Sequence, residues 1–262
     1  MKFFEHKIKE IEAQKRRKKY VFWFFCALLL VFFVIAVAFF VTTSHERNVS
    51  VISIEGELYS GDVSDNGMAG SVQIGKELRD AADNAFVEAI VLRVNSPGGT
   101  PAAAQEIITD LNYAKSKKPV VVSIGDMATS AAYYVSAHAD KIYADPDSIT
   151  GGIGTVWIFY DVSKWLQNEG YNVTVIKSGE KKDMTSSLRP LTPDEESYAR
   201  ALVNRSFEKF ISDITSQRNI SRDQIDDGRL IRGEEAKKIG LVDELGNLND
   251  AITAAQSLAH KY

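Results

Sequence analysis

Residues 89–134 read AIVLRVNSPGGTPAAAQEIITDLNYAKSKKPVVVSIGDMATSAAYY. Two short apolar runs, 89–94 and 120–124, are each followed by a turn of small residues and then by a helical pattern, at 102–115 and 131–139. Unbroken apolar strands are the kind covered on both faces, whereas strands with one wet face alternate. Strand and helix taken in turn imply right-handed crossovers and a largely parallel sheet, an α/β fold.

The same pattern continues on either side. Strand signals recur at 49–54, 141–144, 155–160 and 172–177, with helical signals at 71–84 and 162–168. A longer helix opens at Thr192 as N-cap, with Pro193 first in the helix and Glu195 completing a capping box. It runs amphipathically through Tyr198, Leu202, Phe207, Phe210, Ile211 and Ile214. Short helices are expected at 221–227 and 233–239, the second ended by Gly240. With no internal repeat or low-complexity tract, residues 49–262 suit one α/β domain.

The stretch before that domain is of another kind. Residues 20–41, YVFWFFCALLLVFFVIAVAFFV, are 22 residues without a charge. As a helix they would be about 33 Å long, enough for a hydrocarbon core of about 30 Å. The run KRRKK precedes them and the nearly neutral TTSHERN follows, so the positive-inside bias predicts a cytoplasmic N-terminus and an extracytoplasmic domain. The organisation expected is thus 1–19 basic and cytoplasmic, 20–42 signal anchor, 43–48 linker and 49–262 extracytoplasmic domain in the cell (inner) membrane. Ala36-Val37-Ala38 imitates a cleavage site, but the apolar run continues past it, which favours an uncleaved anchor.

Charge is divided along the same boundary. Residues 1–19 carry a net +5 and residues 43–262 a net −9, within a total of −4 over 262 residues. An acidic domain lacks the clustered basic charge that binds nucleic acid. The single cysteine, Cys26, lies in the apolar run, so it can be neither half of an internal disulfide nor a protease nucleophile outside the membrane. No HExxH motif or CxxC pair is present, and no metal or cofactor is expected. Of the four histidines only His138 could join a Ser-His-Asp triad. Eight residues after Ser130 on one expected helix, it should point away, as a polar surface or cap residue.

Two small-residue loops remain as places for chemistry. In Asn95-Ser96-Pro97-Gly98-Gly99 the glycines let backbone N–H groups face outward at a helix start, which serves an oxyanion or a tight connection equally well. In the second, Ser130 stands at the mouth of a helix among alanines. There it is either an N-cap or a nucleophile with the N–H of Ala131 as oxyanion donor.

Taken with two later motifs, these loops carry a resemblance. RVNSPGG (93–99), MATSAAYYVSAHADKIYADPDSITGGIG (127–154), IKSGEKKDM (176–184) and GRLIRGEEAKKIGLVDELG (228–246) occur in the order found in the signal peptide peptidase A family of membrane serine proteases, single-domain type. The resemblance covers roughly residues 49–250. It implies the Clp-protease/crotonase-like βαβ superhelical fold and a Ser–Lys dyad, with Ser130 as nucleophile and Lys182 as general base. The implied oxyanion hole is a glycine N–H of Gly98 or Gly99 together with that of Ala131. A lysine acts as a base only when neutral, which burial and like charge favour. Family members commonly hold the lysine with a serine where this chain has Gly152, so either Thr150 or Ser178 gives that support instead or the lysine is less well positioned.

Single-domain members assemble into rings, typically octamers, in which serine and lysine come from neighbouring subunits. The resemblance therefore implies a homo-oligomer at the lipid bilayer that degrades cleaved signal peptides or other short apolar peptides. The alternatives are a broader quality-control protease of the same family, a catalytically weak ring-forming scaffold, and an acyl-CoA enzyme using the same turn. The last is disfavoured because CoA is cytoplasmic.

Overall fold

A computed structural model describes residues 2–43, 48–62 and 67–261. They fall into two units, 1–47 and 48–262. The first is helix α1 (Lys2–Thr43). Its stretch Lys15–Val37 is long and apolar enough to cross a membrane by length and composition, and Phe22, Leu29, Phe32 and Ile35 are all exposed. The helix runs without a break through the basic segment 1–19 from Lys2 onward. Residues 44–47 of the expected linker lie outside the described residues.

The second unit opens with β1 (Val49–Glu55), β2 (Glu57–Tyr59), β3 (Met68–Gly70), α2 (Ser71–Asp83) and β4 (Ala89–Ser96). Next come α3 (Pro101–Lys115), β5 (Val120–Thr129), α4 (Ala131–Ser136), β6 (Lys141–Ala144), β7 (Ile149–Gly151) and α5 (Ser163–Asn168). The chain closes with α6 (Pro193–Gln217), a 3-10 turn (Arg222–Gln224), β8 (Leu230–Arg232), α7 (Gly233–Ile239), β9 (Glu244–Leu245) and α8 (Leu248–Ala259). The sheet order β1-β4-β5-β6-β9 is parallel throughout, and only β8 is antiparallel, to β7. The parallel α/β fold expected from 89–134 is what forms.

Both faces of the sheet are covered, as the apolar runs required. Ile90, Leu92, Val94, Val122 and Ile124 face a core shared with α2, α3, α4 and α6. Ala89, Val91 and Val121 face the other way, against Ala251 and Ala255 of α8. Each of these large side chains contributes roughly 1.5–3 kcal/mol by leaving water. Helix α8 has no counterpart among the elements read from sequence, although Asn247 caps it in a box with Asp250.

Other departures concern strands. Residues 155–160 and 172–177 have strand-like patterns but form no strand. Val156, Ile158, Tyr160 and Ile176 are exposed instead, Ile176 at 96%. A strand exists only with a hydrogen-bonding partner, and no described strand lies beside these segments. The helix expected at 221–227 shrinks to the 3-10 turn, and α4 ends at Ser136.

What positions the site is the end of β5. This strand pairs with β6 over Val121–Ser123 and then with β7 over Met127–Thr129, while its register with β4 shifts between Val94 and Ser96. The sheet divides there, at its carboxyl end, where parallel α/β sheets place their crevices.

Candidate active site

Ser130 follows that division directly. It is the only non-glycine residue with positive φ among the described residues, at φ 52° and ψ −124°. Such a backbone costs about 1–3 kcal/mol and persists only where neighbours over-determine it. Here they do. The Ser130 N–H donates to Gly151 O at 2.9 Å, its carbonyl accepts from Tyr134 N–H at 2.9 Å, and the Thr129 hydroxyl donates to Pro97 O at 2.8 Å. Ser130 stands at the N-cap position of α4, but its side chain makes no capping hydrogen bond. The hydroxyl is left without a partner among the described residues.

The glycine turn is fitted against it. A Cβ on Gly98 would lie 2.8 Å from Ser130 Cβ and from Thr129 O, and 3.0 Å from Ala131 N. One on Gly99 would lie 2.1 Å from Leu58 O. Strand β2 fixes the turn, with Leu58 N–H donating to Gly98 O at 2.7 Å and Thr100 N–H to Leu58 O at 2.9 Å. The N–H of Gly98 donates to the Ser96 hydroxyl at 3.2 Å, whereas those of Gly99 and Ala131 have no partner among the described residues. Gly152 is also close. A Cβ there would meet Ser130 N at 3.4 Å, an ordinary contact, although its φ of 60° favours glycine.

Ser130, Ala131 and Gly99 line one cavity of about 170 Å³, walled by Pro101, Val156 and Phe210 and ended by Gln105, Tyr134 and Lys209. That polar end is internally satisfied. Gln105 Nε2 donates to the Tyr134 hydroxyl at 2.6 Å, the hydroxyl donates to Asp213, and Lys209 pairs with Asp213 at 2.7 Å. Burial, then Asp213, holds the Tyr134 hydroxyl above its usual range, so it stays a neutral donor. A wider, more open cavity of about 630 Å³ adjoins on the Gly152 side, bordered by Pro97, Val203, Phe207 and Leu230. The contribution of α6 to both cavities was not legible beforehand, because Phe207 and Phe210 read as ordinary apolar positions of an amphipathic helix.

The remaining expected residues sit elsewhere in the chain. Lys182 lines neither cavity. It lies in a series of turns before α6, exposed, with its N–H donating to Gly179 O at 3.2 Å and its side chain without a partner among the described residues. Lys177, Lys181 and Arg189 around it are all paired with carboxylates. Thr150 is fully buried in β7 and its hydroxyl donates to Ala128 O at 2.8 Å, while Ser178 is exposed; neither lines the cavities. His138 is buried, not on the surface. Its Nδ1 lies 2.9 Å from Tyr134 O at the end of α4, and burial lowers its affinity for a second proton.

Residues 112–261, more than half the chain, match the sequence profile of peptidase family S49. The chain belongs to that family. The matched residues contain three of the four motifs, 127–154, 176–184 and 228–246. Among relatives, a protein of Methanocaldococcus jannaschii named as a protease is 38% identical over 70% of this chain and 60% of its own length. A protein of Enterococcus faecium named as a signal peptide peptidase is 31% identical over 67% of this chain and 52% of its own. The chain thus spans somewhat over half the length of these relatives. A solved structure of a mutant 1510-N membrane-bound stomatin-specific protease superposes with a TM-score of 0.50, at 17% identity, over 78% of this chain and 82% of its own, a likeness of fold.

Proposed function

We propose that this S49 peptidase is a membrane-anchored serine endopeptidase with a Ser–Lys dyad, acting on cleaved signal peptides or other short apolar peptides outside the cytoplasm. The observation that carries the reading is Ser130: a strained residue with a free hydroxyl, at the mouth of a cavity, beside two unpartnered N–H groups. Lys182 Nζ takes the Ser130 proton as Oγ attacks the scissile carbonyl. Negative charge then builds on the carbonyl oxygen between the N–H groups of the glycine turn and Ala131. Collapse expels the amine, which receives the proton from the Lys182 ammonium. Water attacks the acyl-serine next, its proton passing to Lys182, and Ser130 is regenerated.

Because Lys182 lines neither Ser130 cavity of its own chain, the reading includes a homo-oligomer in which a neighbouring subunit delivers the lysine. The exposed apolar segments 155–160 and 172–177 suit such a contact, since paired strands from a second copy would satisfy both their side chains and their backbone. The anchor role of 20–42, with the N-terminus cytoplasmic, follows from its length and the basic flank.

The test is labelling of the solubilised full-length protein by a fluorophosphonate. Wild type should label at Ser130, and Ser130→Ala and Lys182→Ala should not. Co-expressed Ser130→Ala and Lys182→Ala chains should regain labelling, because one supplies the serine and the other the lysine. Undiminished labelling of Lys182→Ala would refute the dyad. A wild type that never labels would leave the scaffold reading, to which Gly152 lends some support.

A further inference from the structure

We propose that Arg189 is a positioning residue for the reaction: it holds the Lys182 loop on the first turn of α6 and keeps the neighbouring carboxylate of Asp183 from pairing with Lys182. The inference rests on Lys182 being the general base.

The loop between 177 and 192 has turns but no regular element, so its shape must come from side chains. Arg189 provides it. Nε donates to Asp183 Oδ2 at 2.9 Å and Nη2 to Asp183 Oδ1 at 2.7 Å, a fork on both carboxylate oxygens. The other edge of the guanidinium reaches α6, with Nη1 donating to Glu195 Oε2 at 2.7 Å and Nη2 to Glu195 Oε1 at 2.6 Å. Glu195 is itself fixed, because it is buried and its Oε2 accepts from Thr192 N–H at 3.0 Å while its own N–H donates to Thr192 Oγ1 at 3.2 Å. A planar fork can join two carboxylates in this way; an ammonium cannot.

The charge consequence is as specific as the geometric one. Asp183 adjoins Lys182 in sequence, and a free carboxylate beside a lysine favours the charged form, which is useless as a base. Arg189 and Lys177, the latter 2.5 Å from Asp183 Oδ1, occupy that carboxylate. They hold it well below the usual carboxylate range. From α6, Asp194 is taken by Lys181, with Glu195 and Tyr198 beside it. Glu180 accepts from Lys177 through its carbonyl at 2.6 Å, and its exposed carboxylate makes no ion pair with Lys182.

The rate of fluorophosphonate labelling of the full-length protein, followed against pH, tests this. Arg189→Gln should slow labelling and move the acid limb of the profile upward by about one pH unit, the size of effect a nearby opposite charge has. Arg189→Gln with Asp183→Asn should return the limb towards its wild-type position. Asp183→Asn alone, which leaves Lys177 without its carboxylate and Arg189 with Glu195 only, should move it downward. Arg189→Lys should keep the limb in place and lose rate only. A uniform loss of rate at every pH, or shifts of one sign in Arg189→Gln and Asp183→Asn, overturns the proposal while the dyad stands. Undiminished labelling of Lys182→Ala, or no labelling of wild type, removes the dyad and this inference with it.

Discussion

At the scale of single residues, the site depends on atoms that are missing. Gly98 can press against Ser130 and Ala131 only because it has no Cβ, and its φ of 108° is closed to other residues. Gly98→Ala should therefore displace the turn and reduce fluorophosphonate labelling by about 100-fold or more, the scale of losing an oxyanion donor. Unchanged circular dichroism would confirm that the fold survives. His138 gives a second prediction. Burial lowers its folded-state pKa beneath the unfolded value of about 6.5, so the unfolded chain binds the extra proton more readily. Stability then falls as pH drops from 6.5 towards the folded value. His138→Gln, which cannot titrate, should flatten the curve of urea midpoint against pH between 7 and 5. An equally steep curve in the variant would remove His138 from the account.

Elements differ in how much of themselves they carry in local sequence. Helix α6 announced its start through Thr192, Pro193 and Glu195, and the capping box forms with Glu195 also serving Arg189. Arg189, followed by Thr192, holds the Glu195 carboxyl down to about 2. Helix α8 is not legible in the sequence, because its buried face consists of alanines rather than large apolar residues, and only contact with β4 and β5 reveals its role. Asn247 caps it by accepting from Asn249 N–H at 2.8 Å and Asp250 N–H at 3.4 Å. Asn247→Ala should cost about 1 kcal/mol in denaturant unfolding and leave Ser130 labelling intact. A loss of labelling without loss of stability would mean that α8 reaches the site by some route other than the sheet.

For the whole molecule, the question is what covers 155–177. Val156 at 79% and Ile176 at 96% exposure are large apolar side chains in water. Ile176→Glu should weaken assembly, giving smaller species in sedimentation, and should lower labelling in proportion, since the proposed lysine comes from a neighbour. The domain's far-ultraviolet spectrum should not change. A variant that assembles as before would place the subunit contact elsewhere.

The sequence by itself determined what depends on short-range pattern. Apolar runs followed by helical periods specify a parallel sheet covered on both faces, and 89–134 states this within one stretch. A charge-free run behind a basic cluster specifies α1 as a candidate span. The order of four motifs was enough for the family. Only the tertiary structure decided what depends on distant partners. Residues 155–160 and 172–177 have strand composition but no neighbour to pair with, and a strand is a relation between two segments. The turn at Gly98 and Gly99 received its shape from β2, through Leu58. Ser130 took its strained backbone from β7 and the glycine turn, forty or fewer residues away on either side but invisible to any local propensity. Which residues belong to the chemistry could be read along the chain; how their atoms meet could not, because that is set by contacts between segments the sequence holds apart.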